Sequence, residues 1–170
     1  MVIFVGHLNL FQMKSIVLPL FVVLFSFISC AQKETPALTW YTDVSLAAEA
    51  AVTAEKPMLL FFTGSDWCGW CHRLQREVFN TATFTTWAES NVILVELDFP
   101  KNKVQAQNIK DQNQMLQQQF QVQGYPTIWF VNVVKEGEKY NMSTLKSSGY
   151  MAGGPDVWIA NAQSIIDGGK

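Results

Sequence analysis

Residues 58–79 constrain this chain more than any other stretch, because an apolar strand, a turn carrying two cysteines and a helix follow without a break. Met58-Leu59-Leu60-Phe61-Phe62 is an uninterrupted apolar run of strand length. Arg73-Leu74-Gln75-Arg76-Glu77-Val78-Phe79 reads as helix, with Leu74 and Val78 at i and i+4 on one face and Phe79 less regular. Between them lies Asp66-Trp67-Cys68-Gly69-Trp70-Cys71-His72. This order puts Cys68 in the turn at a helix N-terminus, where unpaired N–H groups and the helix dipole favour a thiolate. Such a placement lowers a thiol from its free pKa of about 8.5 toward the range in which it attacks disulfides. Cys71, one turn later, lies on the same side and is less exposed. Two cysteines so spaced can close into a disulfide and reopen, one sulfur attacking and the other resolving.

The N-terminus points to export. Met13-Lys14 opens a positive segment, and Ile16 to Ile28 is an uncharged apolar run, too short to span a bilayer comfortably and suited to a secretory signal. The chain is therefore divided into a signal segment, 1–30, with Met13 as its start, a polar tether, 31–37, and one domain, 38–170. Cys30 admits two readings. In one it resembles the lipid-modified cysteine of a bacterial lipoprotein, which would attach the domain to a membrane of the cell envelope. In the other, cleavage after Ala31, with Ser29 and Ala31 as the small residues, removes it and leaves a soluble periplasmic protein.

Removing the residues before Cys30 deletes only Lys14 among the charges and leaves the chain mildly acidic, with no basic run to suggest nucleic acid. After Cys30 the only cysteines are Cys68 and Cys71, so no structural disulfide framework is available. The rest of the chain alternates. Leu38-Thr39-Trp40 reads as a short strand, and Val44 to Lys56 as a helix stopped by Pro57. Residues 80–90 suggest a further helix packed by Phe84 and Trp87. Asn91 to Asp98 is a strand, apolar enough to be expected at the centre of a covered sheet. Lys101 to Gln123, rich in glutamine, reads as a solvated helix with Ile109, Leu116 and Phe120 as its buried stripe. Thr127 to Val131 is a strand, Lys135 to Glu138 a hairpin turn, Lys139 to Leu145 the returning edge strand, and Asp156 to Ile166 a last helix. Together these give an α/β three-layer sandwich with a mixed central sheet flanked by helices.

The order of parts resembles the thioredoxin-like family over roughly residues 38–167, closest to its secreted bacterial thiol:disulfide interchange members. Trp67-Cys68-Gly69-Trp70-Cys71 is similar to the family's Trp-Cys-x-x-Cys site, Gly124-Tyr125-Pro126-Thr127 to its Gly-x-Pro-Thr loop, and Gly149 to a glycine near its substrate groove. The resemblance implies a thiol-disulfide oxidoreductase that acts on cysteines of exported proteins, with Cys68 and Cys71 catalytic. It implies no cofactor beyond that redox-active pair, and partners that are protein thiols or disulfides and an envelope redox protein. It further implies a cis Pro126 facing the disulfide, a Tyr125 backbone that pairs with substrate, and Trp67, Gly69 and Trp70 as the rim around Cys68. One position departs: thioredoxin carries a buried aspartate six residues before its first cysteine, and here that position is Phe62. The Gly69-Trp70 pair does not by itself set the direction of electron flow.

Three rival readings exist. Cys68-Gly69-Trp70-Cys71-His72 also spells a c-type haem attachment site, with His72 as axial ligand. A structural zinc would need a fourth ligand beyond Cys68, Cys71 and His72. A non-catalytic binding or scaffold protein with an inert disulfide would use the same fold.

Overall fold

The computed structural model describes residues 38–169; the signal segment, Cys30 and the tether lie outside them. Three of the helices begin where a side chain takes up one of their first N–H groups. Asp43 caps α1 (Val44–Ala54), accepting from Ser45 N at 2.8 Å, and Glu55 ends it in the left-handed region at φ 53°. Thr81 caps α3 (Ala82–Asn91) by accepting from Phe84 N at 3.2 Å. The other helices are α2 (Gly69–Leu74), which widens into a π-helical turn over Gln75–Phe79, α4 (Gln107–Gln119) and α5 (Gly154–Asp167). The wide turn explains Phe79. Five residues after Leu74, it returns to the same face, and Leu74, Val78 and Phe79 are all buried.

The strands are β1 (Trp40–Tyr41), β2 (Met58–Thr63), β3 (Ile93–Asp98), β4 (Thr127–Glu136) and β5 (Lys139–Ser148). They form one mixed sheet in the order β1-β3-β2-β4-β5, in which β1, β3 and β2 are parallel and the β2–β4 and β4–β5 pairs are antiparallel. β2, buried at every residue, is the central strand. β3 was the strand expected there. It stands one place from the edge instead, covered outwardly only at Leu94 and Val95 by the two-residue β1, and its half-buried Glu96 and Asp98 reflect that thin cover.

Alternation along β2 splits the core into two layers. Leu59 and Phe61 join Cys68, Cys71, Leu74, Val78, Phe79, Phe84 and Trp158 on the face of α2, α3 and α5. Met58, Leu60 and Phe62 join Ala47, Ala51, Leu116 and Phe120 on the face of α1 and α4. The glutamine-rich helix buries Leu116 and Phe120 as expected, with Ile109 half-buried. Its stripe also takes in Asn113, whose amide donates to the Asp98 carbonyl at 3.0 Å.

Candidate active site

Cys68 is the N-cap of α2. Its backbone is extended, its N–H donates to the Gly64 carbonyl at 2.8 Å, and its Sγ accepts from Cys71 N–H at 3.2 Å. The two sulfurs are joined in a disulfide. Cys68 keeps 5% of its surface exposed and Cys71 none, so Cys68 is the more accessible of the two sulfurs.

The turn before Cys68 is strapped to the segment after β3. Asp98 accepts from Ser65 N at 2.7 Å and Ser65 Oγ at 2.6 Å, while Lys103 Nζ donates to Ser65 Oγ at 3.0 Å. The Asp66 carboxylate takes the N–H groups of Lys101 at 3.0 Å and Asn102 at 2.6 Å, and these bonds, Lys101's first, hold its carboxyl below the usual range. His72, which a haem reading would use as a ligand, donates Nε2–H to the Ser65 carbonyl at 2.8 Å. Among the described residues there is no group of three or more His, Cys, Asp or Glu able to hold a metal ion.

Two aromatic walls flank the disulfide. On one side Trp67, 39% exposed, donates Nε1–H to the Phe99 carbonyl at 2.8 Å. It meets the Tyr125 ring edge-on at 5.6 Å and carries Lys101 Nζ 4.2 Å above its indole. A Cβ at Gly64 would collide with that indole, which is why glycine stands there. The Tyr125–Pro126 bond is cis, in agreement with the resemblance. Tyr125 also packs on Phe99 at 5.4 Å and accepts from Gln117 Nε2 at 2.6 Å, and burial pushes its hydroxyl above the ordinary tyrosine pKa. Gly149 lies against Pro126, its Cβ position 3.5 Å from the proline carbonyl, and Trp158 fixes it by donating to the Gly149 carbonyl at 3.0 Å.

On the other side Trp70, 55% exposed, packs on Tyr150 with ring centroids 5.2 Å apart. The Arg73 guanidinium sits 5.4 Å from the Trp70 centroid and 5.0 Å from that of Tyr150. Glu77 ties the group together, accepting from Tyr150 Oη at 2.6 Å and Arg73 Nε at 2.8 Å. Those two donors, the tyrosine first, hold the Glu77 carboxyl below its ordinary pKa, and Tyr150 is raised in return. The residues expected from the sequence, Trp67, Gly69, Trp70, Tyr125 and Pro126, lie in or between these walls, and the structure adds Gly64, Ser65, Asp98, Tyr150, Arg73 and Glu77 beside them. Only Tyr150 had a signal, its place directly after Gly149.

Phe62 does not share the cysteine layer. Counting six residues back from Cys68 reaches a side chain on the opposite sheet face, packed against Phe99 and Phe120. The β2 residue that shares the cysteine layer is Phe61, which packs edge-on against Phe79 at 5.1 Å.

A disulfide at a helix N-terminus, beside a cis-proline loop and between aromatic walls, defines a thiol-disulfide oxidoreductase. The thioredoxin-like domain family matches residues 44–151, and the chain belongs to it. It is similar to "Disulfide bond reductase DsbH" of Chlamydia pneumoniae, with 32% identity over 120 residues covering 71% of this chain and 68% of that protein. It is also similar to "Thioredoxin-related protein DsbJ" of the same organism, with 30% identity over 94 residues covering 55% of this chain and 27% of DsbJ. The solved structure of a DsbH oxidoreductase superposes with TM-score 0.68 at 31% identity, covering 76% of this chain and 85% of that one. A Thermus thermophilus thioredoxin shares the fold, with TM-score 0.55 at 16% identity over 78% of this chain and 90% of its own.

Proposed function

We propose that the protein reduces disulfides of exported proteins, with Cys68 attacking and Cys71 resolving. The observation that carries this is the unequal burial of the disulfide-bonded pair, Cys68 at the helix start and Cys71 wholly covered. In the dithiol form the Cys68 thiolate attacks one sulfur of a substrate disulfide. The substrate S–S bond breaks, its second sulfur leaves as a thiolate and takes a proton, and a mixed disulfide remains on Cys68. Cys71 then loses its proton and attacks Cys68 Sγ, which releases the first substrate sulfur and closes the Cys68–Cys71 bond. The electron pair has passed to the substrate, and a dithiol donor protein restores the starting state. The couple itself carries the electrons, so no further cofactor enters.

The direction rests on the resemblance to DsbH, named as a disulfide bond reductase. Trp67 and Tyr125 on one side and Trp70 on the other offer apolar walls to an extended substrate segment, with Gly69 leaving the approach to Cys68 open and the backbone around Tyr125 and Pro126 pairing with it. The signal-like segment supports a site of action in the cell envelope or periplasm, and a lipid on Cys30 would hold the domain near a membrane-bound electron partner.

Trapping tests the roles. Cys71→Ser should accumulate mixed disulfides with substrate proteins, and Cys68→Ser should accumulate none. Alkylation of the reduced protein in which Cys71 reacts before Cys68 at neutral pH would reverse the assignment.

A further inference from the structure

Thr63, the last residue of β2, is fully buried, and its hydroxyl is the one buried side-chain oxygen or nitrogen among the described residues without a hydrogen-bond partner. Native interiors rarely leave such a group unsatisfied, and valine has the same shape without the penalty. The neighbours are already committed. Thr63's own carbonyl accepts from Phe99 N at 2.9 Å, and Asp98, its partner on β3, gives both carboxylate oxygens to Ser65.

The position of Thr63 indicates what the hydroxyl is for. Leu59, Phe61 and Thr63 alternate onto one face of β2, the face whose layer contains Cys68 and Cys71. The helix that begins at Cys68 runs back over this face, since Phe79, near its end, packs on Phe61. Cys71, two turns nearer the helix start, therefore lies toward the end of β2 that carries Thr63. Cys71 has no exposed surface. In the disulfide its sulfur neither donates nor carries charge. After reduction the same sulfur is a thiol or thiolate in a dry place, and water cannot reach it.

We propose that Thr63 Oγ1 is the hydrogen-bond partner of the Cys71 sulfur in the reduced protein, and thereby a positioning residue that sets how readily the pair is reduced. A hydroxyl serves both protonation states, accepting from S–H and donating to S⁻. Reduction by a dithiol breaks the Cys68–Cys71 bond, transfers two electrons and two protons to those sulfurs, and leaves the donor as a disulfide. The hydroxyl idle in one redox state is occupied in the other, so its interaction favours the reduced form. This rests on the proposed role of the pair as a redox couple.

The test is the equilibrium of the full mature protein with glutathione, read as the fraction of disulfide after acid quench and alkylation. Thr63→Val removes the hydroxyl and keeps the shape, Thr63→Ser keeps the hydroxyl, and Thr63→Ala gives a second hydroxyl-free variant should valine not fold. Thr63→Val and Thr63→Ala should shift the equilibrium about tenfold toward the disulfide, a potential about 30 mV more negative. Thr63→Ser should stay within about twofold of wild type. Hydroxyl-free variants whose potential equals that of wild type would overturn the proposal, because a purely structural misfit changes both redox forms alike. A wild-type pair that does not exchange with glutathione would instead remove the redox reading of the site, and this proposal with it.

Discussion

Replacing Gly64 by alanine tests whether the Trp67 wall is built as described. The new Cβ would overlap the indole, so Trp67 must swing away. Three interactions go with it: the Nε1–H bond to the Phe99 carbonyl, worth about 1 kcal/mol net; the edge-on contact with Tyr125, about 1 kcal/mol; and the exposed Lys101 cation over the ring, about 0.5–1 kcal/mol. Against this, alanine stiffens the unfolded chain and returns about 0.4–1 kcal/mol. The net loss expected is about 2 kcal/mol. Urea unfolding of the oxidised protein, followed by tryptophan fluorescence, measures it. The double variant Gly64→Ala/Trp67→Ala should be no less stable than Trp67→Ala alone, because the collision has lost its target. Reduction of protein disulfides should fall several-fold in Gly64→Ala while exchange with a small disulfide is nearly unchanged. A Gly64→Ala protein as stable as wild type, or a double variant with the full extra loss, would mean that Gly64 does not seat the Trp67 ring.

Other outcomes follow from the charged groups. Tyr150→Phe removes the strongest influence holding the Glu77 carboxyl low, so a carboxyl NMR titration should find Glu77 moved up toward its ordinary pKa. Glu77's contribution to stability is present above its unfolded pKa and is lost as pH falls through the lower folded one; Tyr150→Phe brings the folded pKa up toward the unfolded one, so that contribution should shrink and its loss should be complete at a higher pH. Glu96 is the opposite case, raised by burial first and Asp98 second. The folded protein then holds the proton longer than the unfolded chain, and stability drops as pH rises from the unfolded to the folded pKa. Glu96→Gln should therefore be more stable than wild type at pH 7 and level with it near pH 3, by thermal unfolding at both; equal stability at pH 7 would contradict this.

Much of the site was legible because its parts are local. Cys68, Cys71 and the helix behind them lie within one strand-turn-helix unit, and Tyr125-Pro126 announces itself by composition. What was hidden depends on facing and distance. A count of six residues from Cys68 says nothing of which sheet face β2 presents there, and the turn 64–67 decouples the two, so Phe62 was assigned to a place that belongs to Phe61. Trp70, Glu77 and Tyr150 meet only because α5, through Trp158, fixes the segment at Gly149 beside the helix. Asn113 interrupts the apolar stripe of α4 by donating to the Asp98 carbonyl, a contact set by β3 and invisible in the helix itself. Apolarity marked β3 as a strand, but strand order depends on pairing: β3 has only the two-residue β1 on its outer side, whereas β2 lies between β3 and β4 at the middle of the sheet.

The reduction potential of the Cys68–Cys71 couple decides whether the pair gives electrons to disulfides or takes them. Equilibration of the mature protein with a graded thiol/disulfide buffer gives it in one experiment. A protein-disulfide reductase should lie near the potential of thioredoxin, about −270 mV, where it passes electrons to exported substrates. A value near about −120 mV would mark a couple that takes electrons from substrates, and would contradict the account.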